Sequence, residues 1–328
     1  MDNKKFLRYE DASWNVSALF VHDAAVLFFY DLLKECGTEL NMTVHGNIPC
    51  RWNSGRIVKS VSDDYQKWCL MEYAKRDIPV LLTFSNYFIS ENELDDKPSN
   101  SILKLISEVP GNGVIIASPV LKKYITEKYP GLFMSSSILK AVNEKGQGSA
   151  AYYNALSEQF DRVVLHPDDG FDLELFKNLE HKEKIEILLN ENCVRKCMFR
   201  KEHCDIVSEY YQQRRPMECF EKLNSFKKQK CKSVQDITSL VQFVQGKKQT
   251  CNMSYEELEK AYEAGCRCFK LQGRSLSTAS IMYDLTRYVI CEEQSGIIYK
   301  MIMDRIGSKS LEENRNLLNI ESVKWERV

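Results

Sequence analysis

The fold is decided by residues 185–204, which read IEILLNENCVRKCMFRKEHC. The stretch begins with a short apolar run of strand length rather than helix length, and it turns abruptly polar at residues 190–192. Cys193, Cys197 and Cys204 follow in a segment rich in arginine and lysine. A buried strand that ends in polar groups and thiolates is a common way to hold a metal or an iron–sulfur cluster, because soft thiolates select such groups. The stretch therefore predicts a buried strand with a site at its carboxyl end.

The same apolar-to-polar switch recurs along the chain, with amphipathic helical segments between the apolar runs. The strand candidates are residues 40–44, 79–84, 113–117, 132–134, 162–165, 185–189 and 268–271. Closely spaced strands and helices predict parallel βα units, and strands of Val, Ile, Leu and Phe without polar alternation indicate burial on both faces. A βα barrel and an open doubly wound sheet both satisfy this pattern.

The first of these strands distinguishes the two architectures. It ends in His45-Gly46-Asn47, which is not the glycine-rich phosphate loop of a dinucleotide-binding sheet. We therefore predict an α/β fold of the TIM-like (βα) barrel type, complete or incomplete, with a Cys-rich helical insertion after the sixth strand. Residues 1–39 are predicted to be an N-terminal helical segment, with a helix over 15–35. Residues 40–307 are the barrel-like domain with its excursion at 190–251, and residues 308–328 are a C-terminal tail.

Composition limits the class of protein. The 328 residues carry 45 basic and 46 acidic side chains, so no bulk attraction to nucleic acid or to an anionic membrane is expected. No apolar run is long enough to span a bilayer, and no signal-peptide core follows Met1. We expect a soluble, cytoplasmic protein with no membrane partner. In a reducing compartment, the twelve cysteines are expected to be free thiols or metal ligands rather than disulfides.

Nine of the twelve cysteines lie between residues 193 and 291, which indicates a site. Cys193 and Cys197 are four residues apart and would share a face if the segment were helical, with Cys204 on the same face. The predicted metal ligands are Cys193, Cys197, Cys204 and Cys251, with Cys219 and Cys231 competing for the third and fourth places. Four thiolates hold a [4Fe-4S] cluster or zinc, and the second tight cysteine pair of structural zinc sites is missing. We predict the cluster, with zinc and ordinary buried cysteines as alternatives.

In a barrel, residues at the carboxyl ends of the strands face the active site. Lys270 and Gln272 share a face by strand alternation, and with Arg274 they suit a carboxylate, a phosphate or a phenolate. A strand-end salt bridge is the structural alternative. The loop around Trp52 combines two arginines with an aromatic plane, which suits an anionic or planar ligand. The predicted substrate-binding residues are His45, Arg51, Asn53, Arg56, His166, Asn190, Lys270, Gln272 and Arg274.

Two other classes of function leave weaker signals. The basic run over 195–232 is either a solvated helical face or a surface that contacts an RNA substrate. The chain has no convincing Ser-His-Asp set and no His-Glu-x-x-His motif, so no nucleophile or metal motif of a peptidase is apparent.

Three segments resemble the superfamily of collagenase-like peptidases, whose relatives include oxygen-independent hydroxylation proteins of ubiquinone synthesis and of transfer-RNA wobble modification. They are residues 161–165 with the helix after them, the cysteine-containing loop after 185–189, and residues 253–274, MSYEELEKAYEAGCRCFKLQGR. The last segment is similar to the family's Phe-Lys-x-x-Gly-Arg element. The resemblance implies a barrel-like fold and a four-cysteine cubane cluster, with Cys193 and Cys197 as its firmest ligands. The chain lacks the fuller glycine-rich cysteine motif of the collagenase-like members, and its cysteine spacing differs from that of the ubiquinone proteins.

The resemblance implies an iron–sulfur protein that performs oxygen-independent, hydroxylation-type redox modification of a small-molecule or peptide substrate. Two alternatives remain open. One is a non-catalytic subunit in a hetero-oligomer with a related subunit or a redox partner. The other is a peptidase.

Overall fold

Eight parallel strands close into a barrel in the computed structural model, which describes residues 5–212, 216–231, 250–273 and 276–307. The barrel order is β1-β10-β7-β6-β5-β4-β3-β2. The barrel strands are β1 (Ser13–Leu19), β2 (Met42–Gly46), β3 (Val80–Phe84), β4 (Gly113–Ile116), β5 (Phe133–Ser136), β6 (Arg162–Val164), β7 (Ile185–Leu188) and β10 (Cys268–Leu271). A separate antiparallel pair is formed by β8 (Asn190–Val194) and β9 (Thr250–Asn252). The predicted TIM-like barrel is confirmed.

Helices connect the strands and surround the barrel. They are α1 (Asp23–Glu35), α2 (Asp63–Ala74), α3 (Lys97–Ser107), α4 (Pro119–Lys128), α5 (Ile138–Glu144), α6 (Ala150–Ser157), α7 (Leu173–Lys177), α8 (Arg200–Gln212), α9 (Pro216–Gln229), α10 (Tyr255–Glu263), α11 (Thr278–Val289) and α12 (Glu292–Gly307). None of these helices is long and apolar enough to cross a membrane. The predicted tail at 308–328 lies outside the described residues.

The N-terminal part of the chain differs from the prediction. Residues 13–19 form a barrel strand between β10 and β2, and the helix predicted over 15–35 begins only at Asp23. Trp14 and Val16 belong to the main apolar core, whereas Asn15 is buried among polar groups. The strand therefore has the period-two pattern of one apolar and one polar face. Because this strand completes the barrel, the barrel is closed rather than incomplete, and the insertion follows the seventh strand instead of the sixth.

Helix capping explains part of the apolar-to-polar switch at the strand ends. Ser118 follows β4 and accepts a hydrogen bond from the backbone N–H of Leu121, and Ser137 follows β5 and accepts one from Leu139. Such hydroxyls satisfy backbone donors in the first turn of a helix. These two strand ends are therefore polar because a helix starts there.

The insertion between β7 and β10 contains a helical hairpin of α8 and α9. The hairpin has a small core of its own, formed by Ile206, Val207, Leu223 and Phe226. Polar contacts hold it to the loop after β2. The Ser54 and Ser208 hydroxyls are 2.7 Å apart, and the Tyr211 hydroxyl accepts a hydrogen bond from Val58 N and donates one to Arg56 O. These contacts hold the hairpin over the carboxyl end of the barrel.

Candidate functional site

A cavity of about 130 Å³ lies between the carboxyl ends of the barrel strands and the helical hairpin. Its floor contains side chains from six strands: His45, Thr83, Ile115, Val164, Leu188 and Lys270. Its roof comes from the insertion and includes Phe199, Arg200, His203, Phe226 and Lys227. Active sites of this fold form at the same end of the barrel, from the loops after the strands.

Four cysteines line this cavity: Cys193, Cys197, Cys204 and Cys231. They come from β8, from the turn before α8, from α8 itself and from the segment just after α9. The structure thus brings together three of the four predicted ligands. The fourth lining cysteine is one of the two competitors. The condition for a common helix face is not met, because Cys193 lies in a strand and Cys197 in a turn.

Cys251 and Cys219 lie elsewhere. Cys251 is buried on β9, where its Sγ is 3.5 Å from Asp168 Oδ1 and 3.6 Å from Arg200 Nη2. Cys219 is buried in α9 and does not line the cavity. Which of these thiols bind a metal stays a prediction.

Cys193 and Cys197 form a hydrogen-bonded thiol pair. The hydrogen bond from Cys193 lowers the pKa of Cys197 to about 6, and the Phe199 N–H and the Arg200 charge act in the same direction. The same interaction, together with burial, raises the pKa of Cys193. Cys197 is therefore the thiol that ionises first, and a thiolate is the form that binds metals and attacks electrophiles.

Arg200 is buried among these sulfur atoms. Its Nη2 lies 3.5 Å from Val194 O in addition to its contact with Cys251, and its Nε is buried without a hydrogen-bond partner in the part of the chain that is described. Burial lowers the pKa of Arg200, but the nearby Cys193 and Glu191 outweigh that effect and raise it. A buried guanidinium keeps its charge and stabilises anions around it.

Glu191 is the carboxylate on the cavity lining. Its Oε1 is 3.2 Å from Arg56 Nη2, and the same oxygen accepts a hydrogen bond from Cys193 N at 3.1 Å. Burial favours a raised pKa for Glu191, but the charges of Arg56 and Arg200 outweigh burial and lower it. Glu191 is therefore an ionised group that ties the loop after β2 to β8.

A polar network crosses the barrel interior beneath the cavity. Asn15 Nδ2 donates to both carboxylate oxygens of Glu186, at 3.2 and 3.1 Å, and Lys270 Nζ donates to Oε1 at 2.9 Å. His45 Nδ1 lies 2.7 Å from Asn15 Oδ1. Asn15 and Glu186 are not among the residues predicted from the sequence. The available signal for Glu186 was a single acidic residue in an otherwise apolar buried strand.

The remaining predicted substrate residues divide into two groups. His45, Arg56, Lys270 and Gln272 line the cavity. The others that are described lie off it and have structural partners, and Arg274 lies outside the described residues. Arg51 Nε is 3.8 Å from Asp96, Asn53 Nδ2 donates to Ile48 O, and Asn190 Nδ2 donates to Gln272 O and Asp284 Oδ2.

His166 is also off the cavity lining. Its Nδ1 accepts a hydrogen bond from the backbone N–H of Asp168. Burial, followed by the charge of Arg200, lowers the pKa of His166 to about 4. The neutral imidazole is therefore its form at neutral pH, and its contacts are those of a loop-stabilising residue.

The basic run over 195–232 has acidic partners wherever an ion pair is described. The pairs are Arg195 with Glu257, Lys201 with Asp205, Lys222 with Glu209, and Lys230 with Glu202. Whether the run is a solvated helical face or a surface that contacts RNA stays a prediction.

Comparisons with known proteins find similarity among solved structures. No protein-family model matches the sequence, and no curated protein matches it. Among solved structures, the U32 peptidase Mk0906 aligns with a TM-score of 0.47 and 10% sequence identity, over 80% of this chain and 92% of that chain.

Proposed function

We propose that this protein is an iron–sulfur enzyme of the collagenase-like peptidase superfamily that performs oxygen-independent, hydroxylation-type redox modification of a small molecule. The observation that carries the proposal is the meeting of Cys193, Cys197, Cys204 and Cys231 on one cavity at the carboxyl end of the barrel. Four thiolates are the usual ligands of a [4Fe-4S] cluster. The resemblance of residues 161–165, the cysteine loop and residues 253–274 to that superfamily supports the same assignment.

The residues around the cavity fit such a group in their chemistry. Arg200 Nε and Thr83 Oγ1 are buried and lack hydrogen-bond partners within the described ranges, and both side chains line the cavity. Buried polar atoms normally have partners, so these two favour a polar or anionic occupant. No three His, Cys, Asp or Glu side chains among the described residues are grouped so as to hold a single metal ion. A four-iron cluster takes one thiolate at each iron, so Cys193 and Cys197, which are hydrogen-bonded to each other, would have to separate to bind it.

Cys193, Cys197, Cys204 and Cys231 would hold the cluster, which supplies one-electron transfer when bound. Arg200 and Lys227 stabilise negative charge at the roof of the cavity. On the floor, Lys270 and Gln272 orient the polar groups of the substrate. Phe199 and Phe226 exclude water from the same space. In a low-dielectric site of this kind, fixed charges interact more strongly with a substrate than they do in water.

The experiment is anaerobic purification followed by iron, sulfide and zinc assays and a visible absorption spectrum. We expect iron and sulfide in near-equal amounts in the wild type. Cys→Ser variants at positions 193, 197, 204 and 231 should each lose iron, whereas the matched Cys219→Ser variant should retain it, because Cys219 is buried away from the cavity. Circular dichroism verifies that each variant is folded. Wild-type protein without iron, or equal iron in all five variants, would refute the proposal.

The same preparation separates the alternatives that the sequence left open. Zinc without sulfide would indicate a structural metal site. Turnover that requires an added partner protein would indicate a subunit of a larger redox enzyme. Peptide hydrolysis that survives anaerobic removal of iron would indicate a peptidase.

A further inference from the structure

The polar network inside the barrel has a definite direction of hydrogen bonding. Glu186 on β7 is 1% exposed and lies between two cations, with Lys270 Nζ at 2.9 Å and Arg162 Nη1 at 3.9 Å. A carboxylate in such surroundings only accepts hydrogen bonds. The Asn15 amide must therefore direct its nitrogen toward Glu186, as the distances of 3.2 and 3.1 Å show. The opposite orientation would place the amide oxygen of Asn15 against the carboxylate.

This direction fixes the protonation pattern of His45. The Asn15 oxygen faces His45 Nδ1 at 2.7 Å, and an amide oxygen only accepts. His45 Nδ1 must therefore carry a proton. In a neutral imidazole the other nitrogen is then an acceptor, so Nε2 is the basic nitrogen of this side chain. His45 and Lys270 line the same cavity and come from β2 and β10, the two strands that flank β1.

We propose that His45 and Lys270 are an acid–base pair of this cavity and that Asn15 and Glu186 are their positioning residues. His45 Nε2 accepts a proton from a substrate O–H, or from a C–H beside a carbonyl. The electron pair of the broken bond stays on the substrate as an oxygen-centred anion, which the Lys270 ammonium stabilises. His45 Nδ1 keeps its proton throughout and donates it in a hydrogen bond to the Asn15 oxygen. The imidazole gains a positive charge, which is connected to the Glu186 carboxylate through two hydrogen bonds.

The surroundings of the pair suit this chemistry. Ile115, Val164 and Leu188 line the floor beside His45 and Lys270. Apolar neighbours strengthen the interaction between an ammonium and a developing oxyanion. The substrate class is therefore a small molecule that forms a phenolate, an alkoxide or an enolate. The inference rests on the proposed function only in taking this cavity as the place where the substrate binds.

The test is the tautomer of His45, measured by two-bond ¹H–¹⁵N NMR correlations on the uniformly labelled full chain. The chain has five histidines, and their NMR signals are assigned by substituting each one singly. The signal that disappears in His45→Gln belongs to His45. If His45→Gln does not fold, substitutions of the other four histidines assign their signals, and the remaining signal is that of His45. We expect the Nδ1–H tautomer in the wild type. An Nε2–H tautomer in the wild type would overturn the inference without the need for any variant.

Glu186→Gln provides a sharper result. With the Gln oxygen held by Lys270, its NH₂ group faces Asn15, the Asn15 amide turns over, and His45 Nδ1 becomes an acceptor. The tautomer is therefore expected to shift toward Nε2–H, which a purely structural role for Glu186 would not produce. Glu183→Gln, an exposed glutamate just before β7, is the matched control and should leave the tautomer unchanged. A Glu186→Gln protein that retains the Nδ1–H form overturns the positioning role of Glu186.

Iron content separates this inference from the proposed function. Neither Glu186 nor His45 is among the proposed thiol ligands, so iron assays on Glu186→Gln should match those on the wild type. A wild-type protein with the expected tautomer but without iron would refute the iron–sulfur proposal and leave the acid–base pair supported. Protein that contains iron but has His45 as Nε2–H would give the converse result.

Discussion

Replacing Lys270 by methionine tests the charge balance inside the barrel. The substitution keeps an unbranched side chain of similar size but removes the ammonium that lies 2.9 Å from Glu186 Oε1. Glu186 stays buried, with Asn15 and Arg162 as its remaining partners. Breaking a buried ion pair costs about 3–5 kcal/mol, because one charge is left without compensation. Since two partners remain, we expect Lys270→Met to lower the free energy of unfolding by about 3 kcal/mol, at the bottom of that range.

The assay is urea unfolding, with the free energy of unfolding extrapolated to water. A double-mutant cycle with Glu186→Gln measures the coupling. The double variant removes both buried charges of the pair and leaves only the partly exposed Arg162, so it should be more stable than Lys270→Met by at least about 1 kcal/mol. Lys177→Met is the matched control, because its partner Glu174 is on the surface; its effect should stay below about 0.5 kcal/mol. A cost below about 1 kcal/mol for Lys270→Met, or strictly additive effects of the two substitutions, would refute the reasoning.

Three further predictions concern the hairpin, the thiols and a buried carboxyl. Tyr211→Phe leaves the Val58 N–H without the hydroxyl acceptor at 2.7 Å and should weaken hairpin docking by about 1–3 kcal/mol. Faster hydrogen exchange confined to α8 and α9 would show this, and a uniform change across the barrel would contradict it. In metal-free protein, Cys197 should react with iodoacetamide half-maximally near its pKa of about 6, as quantified by peptide mass spectrometry; a midpoint near 8.5 would contradict the assigned hydrogen bond. Burial raises the pKa of Asp23 to about 6, so the stability that its protonated form contributes at low pH is lost as the pH rises from about 4 to about 6. Asp23→Asn should remove about 3 kcal/mol of this pH dependence in urea unfolding, and an unchanged pH profile would count against a buried acid.

The barrel was predictable where its strands are apolar on both faces. Residues 113–117 read as a buried strand, and residues 185–189 did so despite the buried Glu186, because parallel strands in a barrel pack against helices outside and other side chains inside. β1 was missed because its polar residues face the interior. Asn15 hydrogen-bonds to Glu186, and Ser13 accepts a hydrogen bond from Arg162. The residues after β1 have apolar side chains at helical spacing. The predicted helix was therefore extended back to residue 15, over a strand whose apolar and polar residues alternate.

The sequence indicated that several cysteines would meet at one place, but it did not indicate which of them do so. Three of the predicted cysteines are brought together because they lie close in sequence after one strand. The choice between Cys231 and Cys251 depends on how the chain returns from the hairpin, which is a matter of tertiary packing. Asn190 was predicted as a substrate-binding residue, but it does not line the cavity. It follows a strand, as a substrate residue would, but its amide holds the β10 end and α11 through Gln272 O and Asp284.

The separate core of the helical hairpin has an energetic consequence. Cys193 and Cys197 belong to the strand and turn next to the barrel, whereas Cys204 and Cys231 belong to the hairpin, whose apolar core is distinct from that of the barrel. A group bound by all four thiols would cross-link two cooperative units. Its binding free energy would then add directly to the free energy that holds the units together, because binding to the assembled state alone stabilises that state by mass action. Loss of the group would leave the hairpin held only by contacts such as those of Ser208 and Tyr211 with the loop after β2, so occupancy of the thiol site would affect how readily the interior acid–base pair is reached.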